Sequence, residues 1–207
     1  MKGKYFITIG RQLGSGGREI GEKMATHLNI PYYDKELLQI ASKESGLGKE
    51  FFEEMDEKKS HSLFGGLLSM QNSITDGIYP GYYLSNETLF KIQSDVIREL
   101  AEKQSCLFIG RCADYVLKDI PDCLNIFISA GMEDRIRRTA ALRQVSEAKA
   151  REIIVKTDKK RAEYYRFYSN KTWGAAESYH LCINSSVLGI EETTAFLLRF
   201  LQQKFGL

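Results

Sequence analysis

The chain has 207 residues, 43% hydrophobic and 27% charged, with a net charge of +2. That length suits one domain with an inserted lobe, and the charge is too balanced to argue for a nucleic-acid partner. There is no apolar leader after Met1, no run long enough to span a bilayer, and no Cys-x-x-Cys pair among Cys106, Cys112, Cys123 and Cys182, so the expectation is a cytoplasmic protein with reduced thiols and no membrane partner.

In chain order, residues 5–9 read as a buried parallel strand and 10–17 as a glycine-rich turn. Ile20, Met24, Ala25 and Leu28 recur at helical spacing, which predicts a helix over 17–28, broken by Asn29-Ile30-Pro31. A short strand over 32–34 and a helix over 35–45 follow. From 46 to 85 the composition shifts to charge, then to glycine, proline and tyrosine, which reads as an insertion with some helix rather than core. Ser85 or Asn86 caps a long helix to about 103, with Leu89, Ile92, Val96, Ile97 and Leu100 inward. Strands are predicted over 106–109, 124–129 and 181–184. Helices are predicted over 114–117, 132–142, 146–168 and 190–205, the last with Ala195, Leu198 and Leu201 inward.

Strands alternating with helices indicate an α/β sandwich of three layers, a parallel five-stranded sheet covered on both faces. Ligands in such sheets bind beyond the carboxyl ends of the strands. The 14–17 turn, Asp34 and Gly110-Arg111 each follow a predicted strand, so they are expected to meet at one crevice.

The opening segment Ile-Thr-Ile-Gly-Arg-Gln-Leu-Gly-Ser-Gly-Gly-Arg-Glu-Ile-Gly (7–21) has the strand–turn–helix layout of a phosphate-binding P-loop, Gly-x-x-x-x-Gly-Lys-Ser/Thr. With Gly16 as the second glycine, the lysine slot holds Gly17, the hydroxyl slot Arg18 and the first-glycine slot Arg11. Arg11, Gly14, Ser15, Gly16, Gly17, Arg18 and Glu19 are therefore candidate cofactor-binding residues, through backbone amides at a helix start. Either Arg11 or Arg18 offers the missing positive charge. An arginine cannot replace a hydroxyl as a magnesium ligand, since it has no lone pair to give.

Asp34 has two readings, a carboxylate serving magnesium or a substrate hydroxyl, and an N-cap for the helix from Lys35. Arg111, directly after a strand, suits a phosphate, with Asp114 one turn on to orient it. The basic helix around 156–166, with Arg135, Arg137 and Arg138 before it, reads either as a solvated charged face or as a lid over 143–175 that neutralises phosphate and excludes water. Asp158 and Arg161 share a face of it. Tyr164, Tyr165, Phe167, Tyr168 and Trp173 either pack or stack a base, and Asn184 reads as a turn cap.

In this order, these segments resemble the cytidylate kinases, and more closely the branch called cytidylate kinase-like. The quoted residues are 9–21, Tyr33-Asp34, Phe108-Ile109-Gly110-Arg111, 124–130 followed by Glu133, Arg135 and Arg138, then Asp158 with Arg161, and 181–185 followed by Ile190-Glu191-Glu192. The resemblance implies the nucleoside monophosphate kinase version of the P-loop fold, with 46–85 as a helical acceptor-binding insertion. It implies transfer of the ATP γ-phosphoryl group to CMP or dCMP with Mg2+. Arg111, Asp158 and Arg161 then match acceptor-binding positions, beside Asp34 (also the candidate metal ligand) and Asp114. Arg18, Arg135, Arg138, Asp158 and Arg161 become the catalytic candidates. Gly17, Arg18 and Ile109 depart from the family pattern at the lysine, the hydroxyl and the acid before Gly-Arg. Those departures leave two rivals open: a kinase-derived binding protein without turnover, and a kinase for a different small acceptor.

Overall fold

The structure, a computed structural model, describes residues 3–34 and 82–207, with side chains from residue 87 onward in the second stretch. The predicted helix over 35–45 and nearly all of the predicted insertion lie outside the described residues. The chain divides into two compact units, one of residues 1–35 with 100–207 and the other of residues 36–99.

In the first unit, Phe6–Arg11 (β1), Tyr32–Tyr33 (β2), Cys106–Ile109 (β3), Cys123–Ser129 (β4) and Leu181–Asn184 (β5) form one parallel sheet in the order β2-β3-β1-β4-β5. Burial follows that order. β3 is apolar and buried throughout and β4 is buried up to Ile128, with Asn125 its one buried polar residue, whereas edge strand β5 alternates half-buried Leu181 and Ile183 with exposed Cys182 and Asn184. β1 runs past the predicted end at Ile9. β4 extends beyond β3, so Gly10 and Arg11 keep pairing with Phe127 and Ile128 after the β3 side has turned away at Gly110.

Helix Gly17–Leu28 (α1) and the closing helix Ser185–Phe205 bury Ile20, Met24, Ala25, Leu197 and Leu201 against Ile7, Ile9, Leu107, Ile109, Leu124, Ile126 and Ile128. Along the chain between α1 and the closing helix come Tyr82–Lys103 (α2, in the second unit up to residue 99), Ala113–Val116 (α3), Met132–Arg143 (α4) and Glu147–Ser169 (α5); the closing helix is α6. α2 starts before the predicted Ser85–Asn86 cap, and within it Ile92, Val96 and Ile97 are buried as the spacing predicts. α3 covers the second face of β1 and β4, which completes three layers. α6 begins directly on β5, with Asn184 Oδ1 accepting from Ser186 N–H, so Asn184 is a helix cap. Gly189, at φ 76° and ψ 177°, interrupts its helical dihedrals, and the predicted start at Ile190 is where they resume. Among the described residues, no helix is long and apolar enough to cross a membrane.

Candidate functional site

The turn between β1 and α1 lies beyond the carboxyl end of the central strand, and its own backbone builds it. Gln12 N–H donates to Ile128 C=O, while Gln12 Oε1 accepts from Ala130 N–H, clamping the turn onto the end of β4. Ser15 is fully buried, and its hydroxyl accepts from Gly17 N–H at 3.3 Å. Ser185 Oγ, on α6, donates to Ser15 C=O at 2.6 Å. Gly16, with φ 75°, is the left-handed N-cap that starts α1 without a side-chain cap. The N–H groups of Gly14, Gly16 and Glu19 have no hydrogen-bond partner among the described residues. They are the orphan donors of a helix start, where an anion is favoured. The Glu19 carboxylate turns outward to Lys23, 3.3 Å away.

Arg11 accounts for two of the glycines around it. A Cβ on Gly17 would lie 2.7 Å from Arg11 Cβ and 3.2 Å from its Cγ. A Cβ on Gly110 would run into Arg11 Nη1. The Arg11 stem therefore lies across the first residue of α1, and its guanidinium lies against the end of β3. Arg161 Nη1 donates to Arg11 C=O at 3.0 Å. Burial, then Arg161 and Arg111, pull the Arg11 pKa down to about 9, with Tyr32 and Asp34 acting the other way. Burial likewise lowers Arg161, which Asp158 opposes and Arg111, Arg135 and Arg143 reinforce. Positive charge is thus gathered beside the loop, an arrangement that suits an anion.

Arg18 goes elsewhere. Its Nη2 is 2.6 Å from Asp34 Oδ2, with the arginine side chain 65% exposed and the aspartate 5%. Arg111 lies over the ring of Tyr164, 5.7 Å from its centroid. Gly110, Arg111 and Cys112 are all left-handed, at φ 71°, 58° and 53°, so the chain after β3 turns sharply at its central arginine.

α4 and the helix of the predicted lid, α5, are tied to the turn by side chains. Asp158 Oδ1, on α5, accepts from Leu13 N–H at 2.9 Å, and its Oδ2 pairs with Arg135 Nη2 on α4. Arg135 Nε donates to Leu13 C=O at 2.8 Å, and Arg138 Nη1 to Gly14 C=O at 3.2 Å. Gly14 is closed in by the same helix, where a Cβ would meet Arg135 C=O at 2.6 Å. Arg135, Arg138, Asp158 and Arg161 therefore converge on the loop backbone.

Asp114 does not orient Arg111, as the sequence suggested. It is buried and accepts from Tyr165 Oη at 2.7 Å, and burial raises its pKa against that bond. Tyr165 in turn stacks on Tyr179, and Trp173 meets Phe127 edge-on, so both aromatic side chains pack on the second face of the sheet. Tyr164 and Tyr168 lie in contact on α5, while Phe167 is largely exposed. Cys106, Cys112 and Cys123 are free and buried, with pKa values pushed up to about 12 by burial, and Cys182 is free and exposed. Gln12 and Ser185 are the site residues that sequence reasoning missed. Both act by bonding distant backbone, and neither carries a local signal.

The phosphates of a nucleotide fit this cradle: unpartnered amides at a helix start, glycines pressed too close for any Cβ, and guanidinium groups beside them. Among the described residues there is no all-protein magnesium cage. The hydroxyl slot is an arginine, Asp34 is ion-paired, and the described residues hold no group of three His, Cys, Asp or Glu placed for a metal ion.

The sequence model of the cytidylate kinase-like family matches residues 6–187. No curated protein matches the chain. Among solved structures, an uncharacterized protein from Eubacterium ventriosum is similar at 26% identity and TM-score 0.71, covering 96% of this chain and 99% of that one. Shikimate kinase from Bacteroides thetaiotaomicron (14% identity, TM-score 0.54, 99% and 100% covered) and a gluconokinase from Sinorhizobium meliloti (11%, 0.55, 100% and 96%) share the fold. A P-loop turn on the central strand of a five-stranded parallel sheet, and a family match over nearly the whole length, place this chain in the cytidylate kinase-like family.

Proposed function

We propose that the protein transfers the γ-phosphoryl group of ATP, taken up as its magnesium complex, to a small phosphorylated acceptor, with CMP or dCMP first in line. The observation that carries this reading is the cluster of Arg11, Arg111 and Arg161 next to unpartnered loop amides. Two anions brought together need such a cluster, because phosphoryl transfer asks the protein mainly for positioning and charge neutralisation. In the proposed step an acceptor phosphate oxygen bonds to the γ-phosphorus. The bond from that phosphorus to the β-bridging oxygen breaks, and its electron pair leaves on the β-phosphate. The second reading, a nucleotide-binding protein without turnover, draws on Gly17 in the lysine slot and on the Asp158 carboxylate sitting on a loop amide.

The test is product formation from ATP and magnesium with CMP, dCMP, other nucleoside monophosphates, shikimate and gluconate. CDP or dCDP is the expected product. Turnover on a carboxylated polyol alone would make the protein a kinase for a different small acceptor. Nucleotide-induced thermal stabilisation with no product from any acceptor would leave the binding protein.

A further inference from the structure

Two arginines compete for the role of the absent P-loop lysine, and the geometry separates them. Arg18 is mostly solvent-exposed and held by Asp34. Arg11 is drawn inward, its stem occupying the space that a side chain at position 17 would need and its guanidinium the space of a side chain at position 110. The clash at Gly17 involves Arg11 Cβ, which is fixed to the backbone and cannot swing away. The clash at Gly110 involves the far end of the guanidinium, so Gly110 marks where that group rests. That puts the guanidinium beside Gly110, the chain neighbour of Arg111, while Arg161 Nη1 donates to the carbonyl of Arg11 itself.

We propose that Arg11 performs the lysine's function from the other end of the loop, its guanidinium holding phosphoryl oxygens beside the loop amides, with Arg111 and Arg161 nearby. This rests on the phosphotransfer reading above and deepens it. The step is the transfer already written, in which Arg11 supplies fixed charge and two parallel donors and moves no proton. Gly17 then follows from Arg11: a lysine at 17 and an arginine at 11 exclude each other sterically.

The test uses the full chain, inorganic tripolyphosphate binding by calorimetry, and melting temperature, with turnover measured alongside. Arg11→Gly is expected to weaken tripolyphosphate binding by at least about tenfold, the scale of a lost charge-assisted hydrogen bond. Adding Gly17→Lys to Arg11→Gly is expected to recover most of that loss. Gly17→Ala is expected to lower the melting temperature by about 4 °C or more in the wild-type background and by less than half as much beside Arg11→Gly, where only the 3.3 Å approach to Ile128 Cβ is left. Undiminished binding by Arg11→Gly overturns the assignment, and so does an equal Gly17→Ala shift in both backgrounds. Failure of the wild type to bind tripolyphosphate overturns the phosphotransfer reading itself, and this inference with it. Failure confined to the Arg11 variants leaves that reading standing.

Discussion

Asp158 divides its two oxygens between a loop amide and a buried guanidinium. That makes it a positioning residue for the turn as much as a group facing an acceptor. Replacing it with Asn puts an NH2 group toward one of two donors and strips the countercharge from Arg135, whose side chain is 5% exposed. Breaking one half of a buried pair costs about 3–5 kcal/mol. Asp158→Asn is expected to show a loss near the low end of that range in denaturant unfolding, and Arg135→Met with Asp158→Leu to lose less than the single change. A simple catalytic role for Asp158 would instead cut turnover and leave stability unmoved. Arg161, one turn further along α5, donates to the Arg11 carbonyl, so two lid side chains, Asp158 and Arg161, join Arg135 and Arg138 of α4 on the backbone of residues 11–14.

At the scale of elements, the edge strand β5 depends on a histidine next to it. Asn125 N–H donates to His180 Nδ1 at 3.1 Å, and His180 N–H returns to Asn125 C=O at 2.9 Å, continuing the β4–β5 ladder by one residue. Burial, followed by Lys204 and Lys171, lowers the His180 pKa. The folded state therefore favours the neutral ring, whose Nδ1 accepts. Its stabilisation is fully present above the unfolded pKa of about 6.5 and is lost as pH falls through the lower folded value. His180→Gln is expected to reduce the fall in melting temperature between pH 7 and pH 5 relative to wild type. An identical pH profile in the two proteins would remove His180 from the account.

Across the whole first unit, stability rests on the face where α1 and α6 meet the sheet. Leu197 and Leu201 are fully buried there among isoleucines of the three central strands. Leu201→Ala is expected to destabilise by about 2–5 kcal/mol in chemical denaturation, the range for a deleted core leucine. The result to check is whether tripolyphosphate affinity in the folded protein stays unchanged, since the anion cradle lies at the strand ends and not in this layer. Local periodicity made most of this architecture legible beforehand. Ile20, Met24 and Ala25 share one helical face and are all buried, and the apolar runs at 106–109 and 124–129 are central strands. The glycines and arginines of the turn were legible as a phosphate loop because that signal lies within consecutive residues. Asp114 was misread because a carboxylate three residues from an arginine in sequence faces a tyrosine fifty-one residues away in the chain. Gln12 and Ser185 left no trace, as their partners are backbone atoms of remote segments.

What the sequence settled alone, over the described residues, was the order of strands and helices along the chain and the strand–glycine turn–helix layout of its opening, since both follow from short-range pattern and backbone sterics. Tertiary structure decided which arginine enters the turn. That choice depends on whether Gly17 and Gly110 leave room for a side chain arriving from β1, and the room exists only once β3, β1 and α1 are packed side by side.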